Sequence, residues 1–128
     1  MTHGRYYHSC GTFQLDGKSV LVAAGGVGDS QISTEILQFE SEENWQDGPD
    51  LVEPCWYSSM VTSPDGQGVI LLGCYPNRES LYELRKNNDG ILAWTKLPQK
   101  LKYPRESTLA MLIPDEMASC TNFSMAFL

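Results

Sequence analysis

The chain is 128 residues long, with 41% hydrophobic and 20% charged residues, the composition of a folded chain of one-domain size. Its formal net charge of −7 excludes the basic surface that nucleic acid or an anionic membrane would demand of a partner. No apolar run reaches the ~18 residues of a bilayer span, and residues 1–5 offer no signal-peptide core, so the compartment is not set.

The first predicted element, over 6–13, is a strand rich in small and polar residues. Asp16-Gly17 predicts a hairpin turn, since tight hairpins need residues that accept positive φ. Residues 20–24, Val-Leu-Val-Ala-Ala, are apolar at every position, which predicts a strand buried on both faces. Gly25-Gly26 then lets the backbone turn sharply beside close neighbours. A polar loop over 27–33 leads to a third strand over 34–39. An acidic segment follows, with Glu40, Glu42, Glu43, Asp47, Asp50 and Glu53 and neither Lys nor Arg among them. It reads as a solvated outer edge, with a surface for a basic partner as the alternative. Trp45 heads a short outer strand that ends at Gly48-Pro49.

The same order then returns. A strand over 57–62, the turn Asp65-Gly66 and an apolar strand over 69–72 precede a third strand over 81–84. Asn87-Asn88-Asp89-Gly90 predicts a turn, and 94–98 an outer strand. Val20 to Gly26 is answered by Val69 to Cys74, and Trp45 and Trp94 lie 49 residues apart, as do Pro49 and Pro98. Arg5, Cys55 and Arg105, each ahead of a small-residue segment, are spaced by 50. A third unit begins at Tyr103-Pro104-Arg105 and offers a strand over 108–113, after which the pattern stops. The units run 1–53 and 54–101, with a partial unit over 102–120 and a tail over 121–128.

Cys10, Cys55, Cys74 and Cys120 contain no C-x-x-C pair, so no structural zinc site is expected. Cys55 and Cys74 fall near the same end of two neighbouring strands, on either side of Asp65-Gly66. They are candidates for a disulfide or for two ordinary buried thiols. Asn122-Phe123-Ser124 fits a glycosylation acceptor.

A fixed period near 50, with short strands, a di-glycine and a late Trp, resembles the kelch repeat. The resemblance covers residues 4 to about 116 and includes an acidic residue beside an aromatic, at Glu35 and more loosely at Tyr82-Glu83. The second unit departs from it, with Cys74 in place of the second glycine and Cys55 in place of the leading arginine. The resemblance implies an all-β fold, a partial kelch-type β-propeller of about two four-stranded antiparallel blades plus one extra strand. It further implies that this strand closes a ring and that the chain is the carboxy-terminal part of a larger propeller. The tryptophans would wedge between blades, and blade faces left uncovered would favour self-association.

Kelch propellers mostly bind proteins through loops on one face of the ring, so the expected function is a non-enzymatic protein-interaction module with a protein partner. Tyr, Trp and Arg are the usual anchors of such surfaces, which singles out Arg5, Tyr6, Trp56, Tyr57 and Arg105, with packing between blades as the alternative for each. Arg5-Tyr6-Tyr7-His8-Ser9 also resembles a segment of the galactose and glyoxal oxidase family, which would make Tyr7 and His8 copper ligands. That family needs a further, later histidine, and the chain has only His3 and His8. No cofactor and no catalytic activity are expected.

Overall fold

The residues described by the structure, a computed structural model, are 1–28, 31–40 and 44–113, and among them the chain forms ten strands and no helix. Glu42, Glu43, Cys120, the Asn122-Phe123-Ser124 triplet and the tail lie outside the described residues. Short β1 (Arg5–Tyr6) is antiparallel to β4 (Val27–Gly28). A first four-stranded antiparallel sheet comprises β2 (Ser9–Leu15), β3 (Lys18–Ala24), β5 (Thr34–Gln38) and β6 (Gln46–Asp47), in that order. A second contains β7 (Ser59–Thr62), β8 (Gly68–Leu72), β9 (Ser80–Lys86) and β10 (Leu92–Lys100), also neighbour to neighbour. The fold is all-β, as the sequence predicts.

Turn chemistry explains the hairpins. Asp16 and Gly17 take φ of +52° and +76°, the two left-handed residues of a tight turn between β2 and β3. Asp65 instead uses its carboxylate, accepting bonds from the Gln67 N–H and the Ser63 hydroxyl. Asn87 accepts in the same way from the Asp89 and Ile91 amides before β10.

Two predicted strands come out differently. The strand over 6–13 is split into β1 and β2, because Tyr7 between them is left-handed with φ +58°. Residues 108–113 form no strand. The first strand of each sheet gains its ladder from the second strand of its own unit, and none is present for this segment among the described residues. The segment runs instead beside the second sheet, with the Ala110 N–H on Ser59 Oγ and the Ser107 N–H on the Tyr57 carbonyl.

The face of the first sheet that carries Phe13, Val20, Val22 and Ala24 forms one core with Val69, Leu71, Tyr82, Leu84 and Trp94 of the second. Trp94 is the wedge: its indole N–H crosses to Thr34 Oγ1 at 3.0 Å. Leu21 pairs with Thr12 and Leu37, as Val69 pairs with Thr62 and Leu84, so the ladders align Val69 with Leu21 and not with Val20. The equivalent positions differ in burial. Val69 and Leu84 are wholly buried against the first sheet, whereas Leu21 and Leu37, on its far side, are only partly buried.

That difference yields a direct expectation. In dilute protein, Leu84→Ala should lower stability by about 2–5 kcal/mol, the usual range for a fully buried leucine. Leu37→Ala, at the matching position, should cost less than half as much. Denaturant midpoints for the two variants measure this, and equal losses would contradict the one-sided covering of the first sheet.

Candidate functional site

The loops at one end of the two sheets are tied down from beneath. The Arg5 side chain is buried, and its guanidinium donates to the carbonyls of Gly25 and Ser33, to Ser33 Oγ and, at 2.8 Å, to Glu35. Burial alone would push the Glu35 carboxyl up, but hydrogen bonds from the Thr2 amide and hydroxyl and from Arg5 overcome it and hold the group at about 2. Fifty residues on, the position of Arg5 is taken by Cys55, which is joined to Cys74 by a disulfide with a Cα–Cα distance of 4.9 Å. A covalent tie in the second unit thus stands where the first has an ion pair. Beside it, Glu53 receives the Tyr82 hydroxyl, Asn77 and Lys96. Burial works against its charge, and the Lys96 and Tyr82 bonds bring its pKa below the usual value.

These ties fix a row of aromatic side chains on the loop end. Tyr7, Tyr57 and Ser107 are spaced by 50, and all three are left-handed, with φ of +58°, +57° and +51°. A bulky residue adopts that conformation only where its surroundings enforce it. Here the Tyr57 N–H donates to the Tyr7 carbonyl at 3.1 Å, and the Ser107 N–H to the Tyr57 carbonyl at 2.6 Å. Hydroxyls repeat the step: Ser9 Oγ donates to the Ser58 carbonyl, and Thr62 Oγ1 to the Thr12 carbonyl. The chain also arrives at units two and three alike. Leu51 and Cys55 donate to Ile32 and Gln31, and Leu101 and Arg105 to Glu79 and Arg78.

On this frame the Tyr7 and Tyr57 rings lie 4.3 Å apart, and Tyr6 meets Tyr7 edge-on at 5.0 Å. Tyr6 and Tyr7 are 56% and 52% exposed. Trp56 and Tyr75, the neighbours of the disulfide cysteines, exchange backbone hydrogen bonds, and their rings lie 5.2 Å apart. Of the sequence-derived anchors, the structure brings Tyr6, Trp56 and Tyr57 to this surface. Arg105 lies beside them, partly exposed, with its Nε 3.4 Å from the Tyr103 carbonyl. Arg5 is beneath it, committed to Glu35 and Ser33.

Tyr7 and His8 are neighbours in sequence, but Tyr7 stacks on Tyr57. Burial, and next to it the Arg5 charge, hold the His8 imidazole below its ordinary pKa against the pull of Glu35. His3 lies with Glu35 and Asp47, at 3.9 and 3.8 Å. Tyr75 and Arg78 also belong to the surface; the sequence places the loop over 75–80, after the second apolar strand, at this end, but neither residue is among the anchors it singles out.

A groove of about 400 Å³ runs elsewhere, between Cys10, Thr12, Leu21, Met60, Ala110 and Met111. Its one thiol is raised by burial, with Arg5 opposing, so it stays protonated and is not an activated nucleophile. The aromatic loop end is the better candidate. Comparison with protein-family models and with curated proteins finds no match to the chain.

The Arg5–Glu35 pair carries a prediction. Glu35→Gln leaves a buried guanidinium without its counter-charge and should cost about 3–5 kcal/mol, while Arg5→Met with Glu35→Leu together should cost less than either change alone. Because the folded pKa of Glu35, about 2, lies below its ordinary 4.5, the charge stabilises the fold above pH 4.5 and is lost as pH falls towards 2. Acid titration of stability should therefore be flatter in Glu35→Gln over that window. An unchanged slope would contradict the assignment.

Proposed function

We propose that the chain is part of a kelch-type β-propeller and serves as a non-enzymatic protein-interaction module, binding through the loops that lead into its inner strands. The observation that carries this reading is the row of left-handed residues at 7, 57 and 107, joined by backbone hydrogen bonds. A recurring unit stepping by 50 residues supports the propeller part of the reading. The exposed rings on that rigid row support the binding part, because rigid aromatic side chains give large contact area at low entropic cost.

The third unit fits the same scheme. Arg105 stands where Arg5 does, and Arg5 is satisfied by a glutamate and two carbonyls of its own unit. Leu109 and Met111 beside it are 85% and 72% exposed. A sheet laid on 107–113 would cover those side chains and give Arg105 its acidic partner. In a larger propeller that sheet belongs to the rest of the ring. Self-association through the uncovered faces is the alternative source.

Partner capture tests the binding face. Changing Trp56, Tyr57 and Arg105 together to alanine should reduce recovery of bound protein at least tenfold, with the thermal transition retained. Neutralising Glu40, Asp47 and Asp50 should leave recovery intact. The reverse pattern would move the binding surface to the acidic outer edge.

A further inference from the structure

We propose that the Tyr6, Tyr7 and Tyr57 cluster is an arginine-receiving site, and that its partner is a basic protein segment that lays a guanidinium on these rings. The proposal rests on the reading above that this loop end binds protein, and it adds the chemistry of what is bound.

The rings form one contiguous cluster. Tyr6 meets Tyr7 edge-on, Tyr7 lies tilted over Tyr57, and Tyr57 itself is 36% exposed. Their backbone is held by the hydrogen bonds from the Tyr57 amide to Tyr7 and from the Ser107 amide to Tyr57, so little order has to be imposed on binding. The Tyr57 phenol titrates above its ordinary value, first because of its hydrogen bond with Tyr7, then through burial and the nearby Tyr7, Tyr6 and Glu106 charges. It is neutral at physiological pH.

The same end of the molecule already shows a cation received in this way. The Arg78 guanidinium carbon lies 5.0 Å from the Tyr75 ring centre, while Arg78 Nε meets the Glu106 carboxylate at 3.1 Å. Lys102 stands 5.3 Å from the Tyr103 ring centre. The chain's own cations thus sit over Tyr75 and Tyr103, whereas Tyr6, Tyr7 and Tyr57 present their rings to one another and to solvent. Ring faces attract cations, and a planar, weakly hydrated guanidinium stacks on them better than an ammonium does. Charge complementarity points the same way. A net charge of −7 draws in a basic segment and repels an acidic one, as it does the anionic surfaces of nucleic acid and lipid.

The test uses the full chain and a blocked peptide of alternating glycine and arginine, titrated calorimetrically beside its citrulline and lysine counterparts. Saturable binding of the arginine peptide is expected, at least tenfold tighter than the citrulline peptide, with lysine between them. Each exposed ring should contribute about two- to fivefold. Tyr7→Leu with Tyr57→Leu should therefore weaken binding about tenfold, whereas the matching Phe changes, which keep the ring faces, should alter it by less than about twofold. Should the double Leu variant fail to fold, Tyr6→Leu, at an exposed position of β1, should still cost about two- to fivefold. Binding that is insensitive to the Leu changes would reveal general attraction to the acidic chain and overturn the proposal. Phe variants as weak as Leu would overturn it too, by placing the interaction on the hydroxyls. Loss of partner capture in the triple alanine variant without any arginine-peptide binding would sink this inference alone and leave the interaction face standing.

Discussion

Neither sheet could hold its apolar residues out of water alone. Val20, Val22 and Ala24 are dry because the second sheet lies on them, and Val69, Leu71 and Leu84 are dry because the first does. Burial has no direction, so packing alone would let one sheet slide over the other. The directional terms are the hydrogen bonds that cross between units. Tyr57 bonds to Tyr7, Ser9 to Ser58, Thr62 to Thr12 and Trp94 to Thr34, all over separations of 49 to 60 residues. They fix the step from one unit to the next, and the rest of the molecule is arranged on that step.

The loop end inherits its rigidity from the same step and from two ties beneath it. Arg5, bonded to Glu35 of β5 and to the Gly25 carbonyl just after β3, and Cys55, bonded to Cys74 just after β8, occupy matching places in successive units and tie the chain ahead of each sheet's first strand to that sheet. The buried ion pair needs every hydrogen bond it has, since an unpaired charge there would cost several kcal/mol. The disulfide asks for none and places Trp56 next to Tyr75. Two unlike chemistries thus support one surface, and the tyrosines above them stay exposed because the backbone points them away from the core.

Much of this was legible in the residues. The two Asp-Gly turns state a local preference that the fold keeps, and Trp94 packs between the sheets, whereas the unbroken apolar run over 20–24 promises burial on both faces and receives it on one, Leu21 being only partly buried. What stayed hidden depends on neighbours remote in sequence. Tyr7 and Tyr57 carry no mark of left-handed backbone, which favours glycine or asparagine, and only the bonds from the following unit impose it. Residues 108–113 have the pattern of a strand but lack a ladder partner among the described residues. By type Arg5 suits a binding surface, yet its side chain is buried, because Ser33 and Glu35 lie 28 and 30 residues away in sequence but within reach in space. Tyr82 shows the opposite case: Glu53, 29 residues earlier, accepts from its hydroxyl and makes it part of the core.

Hydrogen bonds stepping by 50 residues lock successive units together. Native-state amide hydrogen exchange by NMR on the whole chain tests this lock most directly. The Tyr57 amide should be protected nearly as well as those of Val22 and Leu71, since it opens only when the sheets part, and the Ser107 amide should also exchange well below the free-peptide rate. Free-peptide rates at Tyr57 and Ser107, with Val22 and Leu71 still protected, would instead show two sheets that pack without being locked.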